Sequence, residues 1–259
     1  TGPGTGVGHN EEDPLMPAAN PIVDSPLIAH RGASLKAPEN TLSAVRLAAQ
    51  KGARWIETDV RLTGDGRLVM IHDATLDRTT NGTGAVVHST LEAIRGLDAG
   101  GWFSPAYAGE PVPDLESFLA AVLDNGLSLQ LELKENSGLE EDLVERVAVV
   151  LRQRWPIGER GLFVSSFSER CMRHAADVLA EVPRALATEF VPRDPSSRLE
   201  EARCQILHVQ AAIATESDLA KLRESGLEFA VATVNDPAVA RRFLSAGATS
   251  VLSDVPDLI

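Results

Sequence analysis

Short apolar runs alternate with amphipathic segments along the chain from Pro26 to the C-terminus. Nine of these runs have the length and composition of β-strands. They cover residues 27–30, 55–60, 67–72, 128–134, 161–166, 184–188, 205–209, 228–234 and 249–253. The segments between them carry apolar residues at helical spacing, most clearly over 114–126. Alternation of strands and helices in this manner predicts a parallel sheet covered by helices.

Residues that favour helix ends bound three of the intervening segments. Each of these segments opens with a polar residue that can cap free backbone N–H groups, and each closes with a glycine. The pairs are Asp114 and Gly126, Thr215 and Gly226, and Asp236 and Gly247. These signals predict helices that begin and end within the gaps between the strand candidates.

Nine strand candidates are one too many for a closed barrel of eight. Segments 55–60 and 67–72 are separated by about six residues that include Thr63-Gly64-Asp65-Gly66. A connection of that length is too short for a parallel crossover and suits an antiparallel hairpin. The sequence therefore predicts an α/β fold, a (β/α)8 TIM barrel with a small insertion after the second strand, at about 74–113.

The domain prediction is one barrel over 25–259, preceded by a flexible tail over 1–24 that is rich in glycine, proline, asparagine and acidic residues. No stretch approaches the roughly 20 apolar residues that a membrane-spanning helix requires, so we expect no stable membrane insertion. No basic segment followed by an apolar one is visible near the N-terminus, and we therefore expect a cytoplasmic protein.

The composition excludes one class of partner. The 259 residues carry a formal net charge of −13, which argues against nucleic acid as a partner. The two cysteines, Cys171 and Cys204, are too few for a disulfide framework, and we expect buried, reduced thiols.

Acidic residues occupy one face of two strand candidates. Glu57 and Asp59 are two residues apart and point the same way in a strand, as do Glu132 and Lys134. Buried carboxylates need compensation, and three oxygen ligands suit a hard divalent cation, Mg²⁺ or Ca²⁺. The alternative is a structural network of salt bridges in which Lys134 and Arg31 neutralise the acids.

Two histidines end strand candidates, where the active sites of such barrels lie. His30 precedes Arg31, and His72 follows the predicted hairpin. Histidines beside paired acids favour general acid–base chemistry, and Arg31 and Lys134 suit phosphate contacts. The formal charges of the site sum to +1 if three carboxylates, one divalent cation and these two basic groups are counted. That charge matches one phosphodiester anion.

A dense, ordered set of motifs runs from about residue 27 to the C-terminus. It comprises HRG (30–32), PENT (38–41), ETD (57–59), IHD (71–73), LDRTTNGTG (76–84), GWF (101–103), GEPVPDLE (109–116), ELK (132–134), SF (166–167), TVND (233–236) and SDVPD (253–257). In order and spacing the set resembles the glycerophosphodiester phosphodiesterases, of the PI-phospholipase C-like phosphodiesterase superfamily. The resemblance implies a metal-dependent barrel that hydrolyses small glycerophosphodiesters to sn-glycerol 3-phosphate and an alcohol.

The resemblance carries site roles over to matching positions of this chain. It implies metal ligation by Glu57, Asp59 and Glu132, acid–base catalysis by His30 and His72, and phosphate contacts from Arg31 and Lys134. Glu39 and Asn40, in the first strand-to-helix loop, are expected to support the site.

One position departs from the pattern of the family. Ala232 stands where the family usually has a tryptophan that lines the substrate pocket, so the substrate preference is open. Trp102, Phe103 and Tyr107 of the insertion offer replacement surface, or they only pack the insertion onto the barrel.

Several alternatives remain open at this point. The nucleophile is either water or the substrate's own glyceryl 2-hydroxyl. A lysophospholipase D or sphingomyelinase D-like phosphodiesterase acting on lipids is the nearest rival. A non-catalytic binding module that kept the barrel is the rival from another class.

Overall fold

The computed structural model describes residues 21–159 and 161–259. The part of the predicted tail that precedes residue 21 lies outside these residues. Nine strands run through the described chain. They are β1 Leu27–Ala29, β2 Trp55–Leu62, β3 Leu68–Met70, β4 Ser128–Leu133, β5 Leu162–Ser166, β6 Arg184–Thr188, β7 Ile206–Gln210, β8 Glu228–Ala232 and β9 Ser250–Ser253.

Eight of the strands form a closed parallel barrel. The sheet order is β1-β9-β8-β7-β6-β5-β4-β2-β3, and an additional parallel pairing of β1 with β2 closes the ring. The ninth strand, β3, pairs with β2 antiparallel, with Val60 opposite Met70. The predicted hairpin and the (β/α)8 barrel are therefore confirmed.

Helices connect the strands over the outside of the barrel. Their bounds are α1 Leu42–Gln50, α2 Leu91–Arg95, α3 Leu115–Asp124, α4 Glu140–Arg154, α5 Glu169–Val178, α6 Pro195–Ala202, α7 Glu216–Glu224 and α8 Pro237–Ser245. The three predicted N-caps are confirmed, because Asp114, Thr215 and Asp236 each accept hydrogen bonds from backbone N–H groups of the first turn.

Strand alternation separates two apolar regions. Leu129, Leu131 and Leu133 of β4 belong to the large core between the strands and the helices. A second cluster takes side chains from seven of the eight barrel strands and fills the lower lumen: Ile28, Trp55, Phe163, Ala185, Ile206, Ala230 and Leu252. The polar residues between the leucines of β4 therefore face the lumen, as the sequence pattern predicts.

The chain segment before β1 covers the bottom of the barrel. Val23 packs into the lower lumen cluster. The carboxylate of Glu228 accepts hydrogen bonds from the backbone N–H groups of Ile22 (2.8 Å) and Val23 (2.9 Å). Asp24 accepts a hydrogen bond from the indole of Trp55 (2.7 Å). Residues 22–24, which the sequence assigned to the tail, thus pack against the N-terminal end of the strands.

The segment between β3 and α3 forms a small structure of its own. It contains α2 and two short 3₁₀ turns, Val86–His88 and Pro105–Tyr107. Its apolar side chains form a separate cluster with Val69 and Ile71. Elsewhere Cys171 and Cys204 are free and buried, as predicted. Among the described residues, no helix has the length and apolar character needed to cross a bilayer.

Gly32 allows the turn after β1 to pass close to α1. Its φ is +83°, and a Cβ at this position would lie 2.8 Å from the Cβ of Ala44 and 2.9 Å from its carbonyl carbon. Only glycine combines this backbone conformation with this approach. The turn matters because it carries His30 and Arg31 to the mouth of the barrel.

We expect Gly32→Ala to lower the free energy of unfolding by about 3 kcal/mol, since left-handed strain adds to overpacking against α1. Gly52→Ala is the matched control: its φ is +89°, but nothing lies within 4 Å of the position that an added Cβ would take. That control should lose only about 1 kcal/mol. Urea unfolding of the three proteins measures the difference, and equal losses would show that the close approach is unimportant.

Candidate functional site

Three carboxylates meet inside the mouth of the barrel. Glu57 and Asp59 lie on β2, and Glu132 lies on β4 directly beside Asp59 in the parallel register. One oxygen from each residue lies within 4.8 Å of the other two, and all three side chains are buried. The spacing of two residues on β2 and the pairing of β2 with β4 therefore produce the cluster that the sequence predicts.

Each acid has one oxygen held by the protein. A Glu57 oxygen accepts the backbone N–H of Arg31 at 3.0 Å, and an Asp59 oxygen accepts the amide of Asn40 at 2.8 Å. Glu132 accepts from the ammonium of Lys134 at 2.5 Å. The second oxygens of Glu57 and Asp59 are buried without a hydrogen-bond partner. Buried, unpartnered carboxylate oxygens that converge on one point fit a hard divalent cation.

The pKa values of the three acids shift in different directions. Burial and the charge of Asp59 raise the pKa of Glu57 to about 8. Burial also acts on Asp59, but Lys134 and Arg31 outweigh it and hold the pKa of Asp59 below its usual range. Burial, with the charge of Asp59, raises the pKa of Glu132 despite the neighbouring ammonium. Without a cation, the cluster therefore stays partly protonated near neutral pH.

Arg31 and Lys134 supply the positive charge of the site. The ammonium of Lys134 lies 3.4 Å from an Asp59 oxygen, and the Nε of Arg31 lies 3.3 Å from the other. Arg31 also donates to Glu39 at 2.8 Å. The salt-bridge network considered from the sequence is thus present, and it uses the same acids that converge as cation ligands.

His30 is held by a carboxylate from the far end of the chain. Its Nδ1 lies 2.7 Å from an oxygen of Asp254, so Nδ1 donates and Nε2 is directed toward Glu57, at 3.9 Å. Burial disfavours the charged imidazole, but Asp254 and Glu57 outweigh it and raise the pKa of His30. The same contact contributes to lowering the pKa of Asp254 to about 2, against the effect of burial.

A carboxylate also holds His72, but the pKa of this histidine shifts in the opposite direction to that of His30. Its Nδ1 lies 2.7 Å from an oxygen of Asp73. Burial lowers the pKa of His72, and the charge of Asp59 offsets this only in part. Arg78 of the insertion donates to Asp73 (2.7 Å) and to Glu39 (2.7 Å), and so connects the two sides of the site.

A cavity of about 330 Å³ opens beside these groups. Five predicted site residues line one side: His30, Arg31, His72, Glu132 and Lys134. Small apolar side chains, among them Ala187, Ala212 and Ala232, contribute to the other side. Ala232, the position that departs from the expected family pattern, therefore borders open space.

The aromatic residues of the insertion do not reach the cavity beside Ala232. Trp102, Phe103 and Tyr107 pack edge to face on one another, at 5.6 and 5.8 Å between ring centroids. Tyr107 donates to the carbonyl of Lys36 at 3.1 Å. None of the three is among the residues that line the cavity. They pack the insertion onto the barrel, which is the second of the two interpretations considered from the sequence.

Sequence reasoning assigned no role to four residues of the site. Asp73, Asp254 and Arg78 hold the histidines and Glu39 through the contacts given above. Arg61 donates to the carbonyl of His72 (2.8 Å) and to those of Lys134 and Glu135 (both 3.3 Å). Asp73 and Asp254 belong to the motifs IHD and SDVPD, which could have identified them. The signal for Arg61 is its position two residues after Asp59, on the same strand face.

Comparison with known proteins agrees with this geometry. Residues 30–258 match the model of the glycerophosphoryl diester phosphodiesterase family. A glycerophosphodiester phosphodiesterase of Caldanaerobacter subterraneus is 32% identical over 90% of this chain and 95% of its own length. One of Bacillus subtilis is 31% identical over 89% and 84%.

Solved structures of phosphodiesterases show the same similarity. A phosphodiesterase of Oleispira antarctica, in complex with the product sn-glycerol-3-phosphate, is 35% identical with a TM-score of 0.87, covering 90% of this chain and 94% of its own. A glycerophosphodiester phosphodiesterase of Agrobacterium tumefaciens is 35% identical with a TM-score of 0.76, covering 90% and 97%. The chain therefore belongs to the glycerophosphoryl diester phosphodiesterase family and is a phosphoric diester hydrolase.

Proposed function

We propose that this enzyme hydrolyses glycerophosphodiesters to sn-glycerol 3-phosphate and an alcohol, with a divalent cation held by Glu57, Asp59 and Glu132. The observation that carries the proposal is the convergence of three carboxylates, in which the second oxygens of Glu57 and Asp59 have no hydrogen-bond partner among the described residues and that of Asp59 is approached only by the Lys134 ammonium, at 3.4 Å. The product bound to the Oleispira antarctica enzyme supports the substrate class.

The charges beside the cavity suit one phosphodiester. A bound Mg²⁺ or Ca²⁺ supplies Lewis-acid stabilisation of charge on a phosphate oxygen. Arg31 and Lys134 both line the cavity. Their charge lets an anion bind although the whole chain carries −13.

The two histidines supply acid–base chemistry. Both line the cavity, and both have Nδ1 held by a carboxylate, which leaves Nε2 to hold or transfer a proton. The pKa of one is raised and that of the other is lowered, which is the combination that an acid and a base require. The same pair serves either nucleophile, a water molecule or the glyceryl 2-hydroxyl.

A lipid substrate is the second candidate. Exposed apolar side chains near the mouth of the barrel favour it. Phe167, which lines the cavity, is 42% exposed, and Phe190 and Ile213, on the loops after β6 and β7, are 59% and 39% exposed. These side chains lie at the same end of the barrel as the open space at Ala232. A lysophospholipid could place its acyl chain there.

For the metal, we expect release of sn-glycerol 3-phosphate from glycerophosphocholine to require Mg²⁺ or Ca²⁺ and to stop with chelator. Glu57→Gln should reduce turnover at least about 100-fold, since it removes a ligand charge. A coupled assay for the product measures both effects. Lysophosphatidylcholine runs in parallel with choline release as the common readout, and faster turnover of it would favour the lipid candidate.

Glu228→Gln is the matched control, because it changes a buried barrel carboxylate at the opposite end of the strands. It should retain turnover within about threefold. Chelator-resistant activity, or full activity of Glu57→Gln, would contradict the metal proposal.

For the histidines, we expect His30→Ala and His72→Ala each to lower kcat by about 10²–10⁴ on glycerophosphocholine. The variant that lacks the general acid should regain most of its kcat on the p-nitrophenyl ester of glycerol 3-phosphate, because nitrophenolate leaves without a proton. The variant that lacks the base should remain slow on both substrates.

His174→Ala is the control, since that histidine contacts Glu145 on the outer helices. It should leave both rates unchanged. A mild loss in both site variants, or equal recovery of both on the nitrophenyl ester, would remove the acid–base assignment.

A further inference from the structure

A buried polar pair lies next to the acid cluster, because Gln130 stands beside Glu57 in the parallel register of β2 and β4. Gln130 of β4 and His208 of β7 are 1% and 5% exposed. The Gln130 side-chain nitrogen contacts the Ser165 hydroxyl at 3.0 Å and His208 Nδ1 at 3.3 Å. The imidazole also packs edge to face on Phe163 at 5.8 Å between centroids. These contacts fix the orientation of both side chains.

Each member of the pair has one polar atom without a partner. These atoms are Oε1 of Gln130 and Nε2 of His208, and both are buried. Because the Gln130 amide donates to Nδ1, the proton of the neutral imidazole is on Nε2. The pair therefore offers one acceptor and one donor. Turning the amide over would exchange the two roles and leave the pair complementary.

The position of the pair connects it to the substrate cavity. His208 lines the cavity that also contains His30, Arg31 and Lys134. Gln130 stands beside Glu57 in the parallel register of β2 and β4, and it precedes Glu132 by two residues, or about 7 Å, on the same face of β4. A three-carbon chain attached to a phosphate beside Glu132 can span the distance along β4 to Gln130.

We propose that Gln130 and His208 form a subsite that binds a hydroxyl group of the glyceryl part of the substrate. A hydroxyl group accepts and donates at the same time, which satisfies both unpartnered atoms. The inference rests on the proposed function for the identity of the ligand. Burial lowers the pKa of His208 to about 4, so the imidazole is neutral at physiological pH and cannot compete with Arg31 and Lys134 for the phosphate.

The subsite also explains how the enzyme can distinguish the two sides of a phosphodiester. A site with buried polar groups rejects a ligand that lacks the matching hydroxyl, because those groups would then stay unpaired. The subsite therefore favours a glyceryl group over an alkyl group that carries no hydroxyl.

The experiment compares two ligands that differ in their hydroxyl groups. Calorimetric titration with sn-glycerol 3-phosphate and with n-propyl phosphate, in the presence of Mg²⁺, gives a ratio of dissociation constants for each protein. We expect the wild type to prefer sn-glycerol 3-phosphate at least about tenfold. His208→Leu and Gln130→Met should each reduce that ratio about tenfold, with little change in the affinity for n-propyl phosphate.

Gln210→Leu is the matched control, because Gln210 lies on the same strand and lines the same cavity but is not part of the pair. It should keep the wild-type ratio. Thermal unfolding shows which variants are folded, and either of the two subsite variants is sufficient for the comparison.

A wild-type ratio near one would overturn the proposal. So would an unchanged ratio in a folded subsite variant, which would mean that the pair only holds an internal water molecule. Failure of the proposed function is a separate result: it would appear as absent turnover of glycerophosphocholine, with the preference for sn-glycerol 3-phosphate still present in the binding data.

Discussion

The repulsion among three carboxylates buried at one end of a closed barrel is the constraint on which the site depends. Glu57, Asp59 and Glu132 have oxygens within 4.8 Å of one another, and the side chains of Glu57 and Asp59 are fully buried. Such a group is unstable unless positive charge or protons compensate it. Lys134 and Arg31 supply part of this compensation, and the raised pKa of Glu57, about 8, shows that it is incomplete.

The surrounding structure holds these charges in place through groups that are distant in sequence. Asn40 binds Asp59 through its amide and accepts from the hydroxyl of Thr58 at 2.6 Å. Arg61 fixes the backbone that carries His72 and Lys134. Arg78 connects Glu39 with Asp73 and so ties the insertion to both sides of the site. The insertion is therefore part of the active site's support, although its aromatic residues do not reach the cavity.

The sequence could predict those features that follow from regular spacing among neighbouring residues. The two-residue spacing in Glu57 and Asp59 and the leucine alternation around Glu132 define strand faces, and a short glycine-containing connection defines the hairpin. Together with the motif order, they gave the barrel and every predicted residue of the acid cluster. These signals are carried by neighbouring residues, so they can be read without knowledge of the tertiary fold.

Contacts between distant segments were not accessible in the same way. Asp254 is 224 residues from His30, and Glu228 is more than 200 residues from the backbone N–H groups that it accepts. The depth of His208 within the lumen depends on the registers of several strands at once. The alternative roles of Trp102, Phe103 and Tyr107 likewise depended on which way the insertion folds over the barrel, which no local pattern determines.

The most direct test of the role of the acid cluster is the proton balance of metal binding. Mg²⁺ is titrated calorimetrically into the protein at pH 7, in two buffers with different enthalpies of ionisation. Because the pKa of Glu57 is about 8 without a cation, this carboxyl holds a proton at pH 7, and binding must displace it. We predict release of about one proton per cation at pH 7, and much less above pH 9. Binding without proton release at pH 7, or undiminished release in Glu57→Gln, would contradict the assignment of Glu57 as a cation ligand that burial and the charge of Asp59 keep protonated.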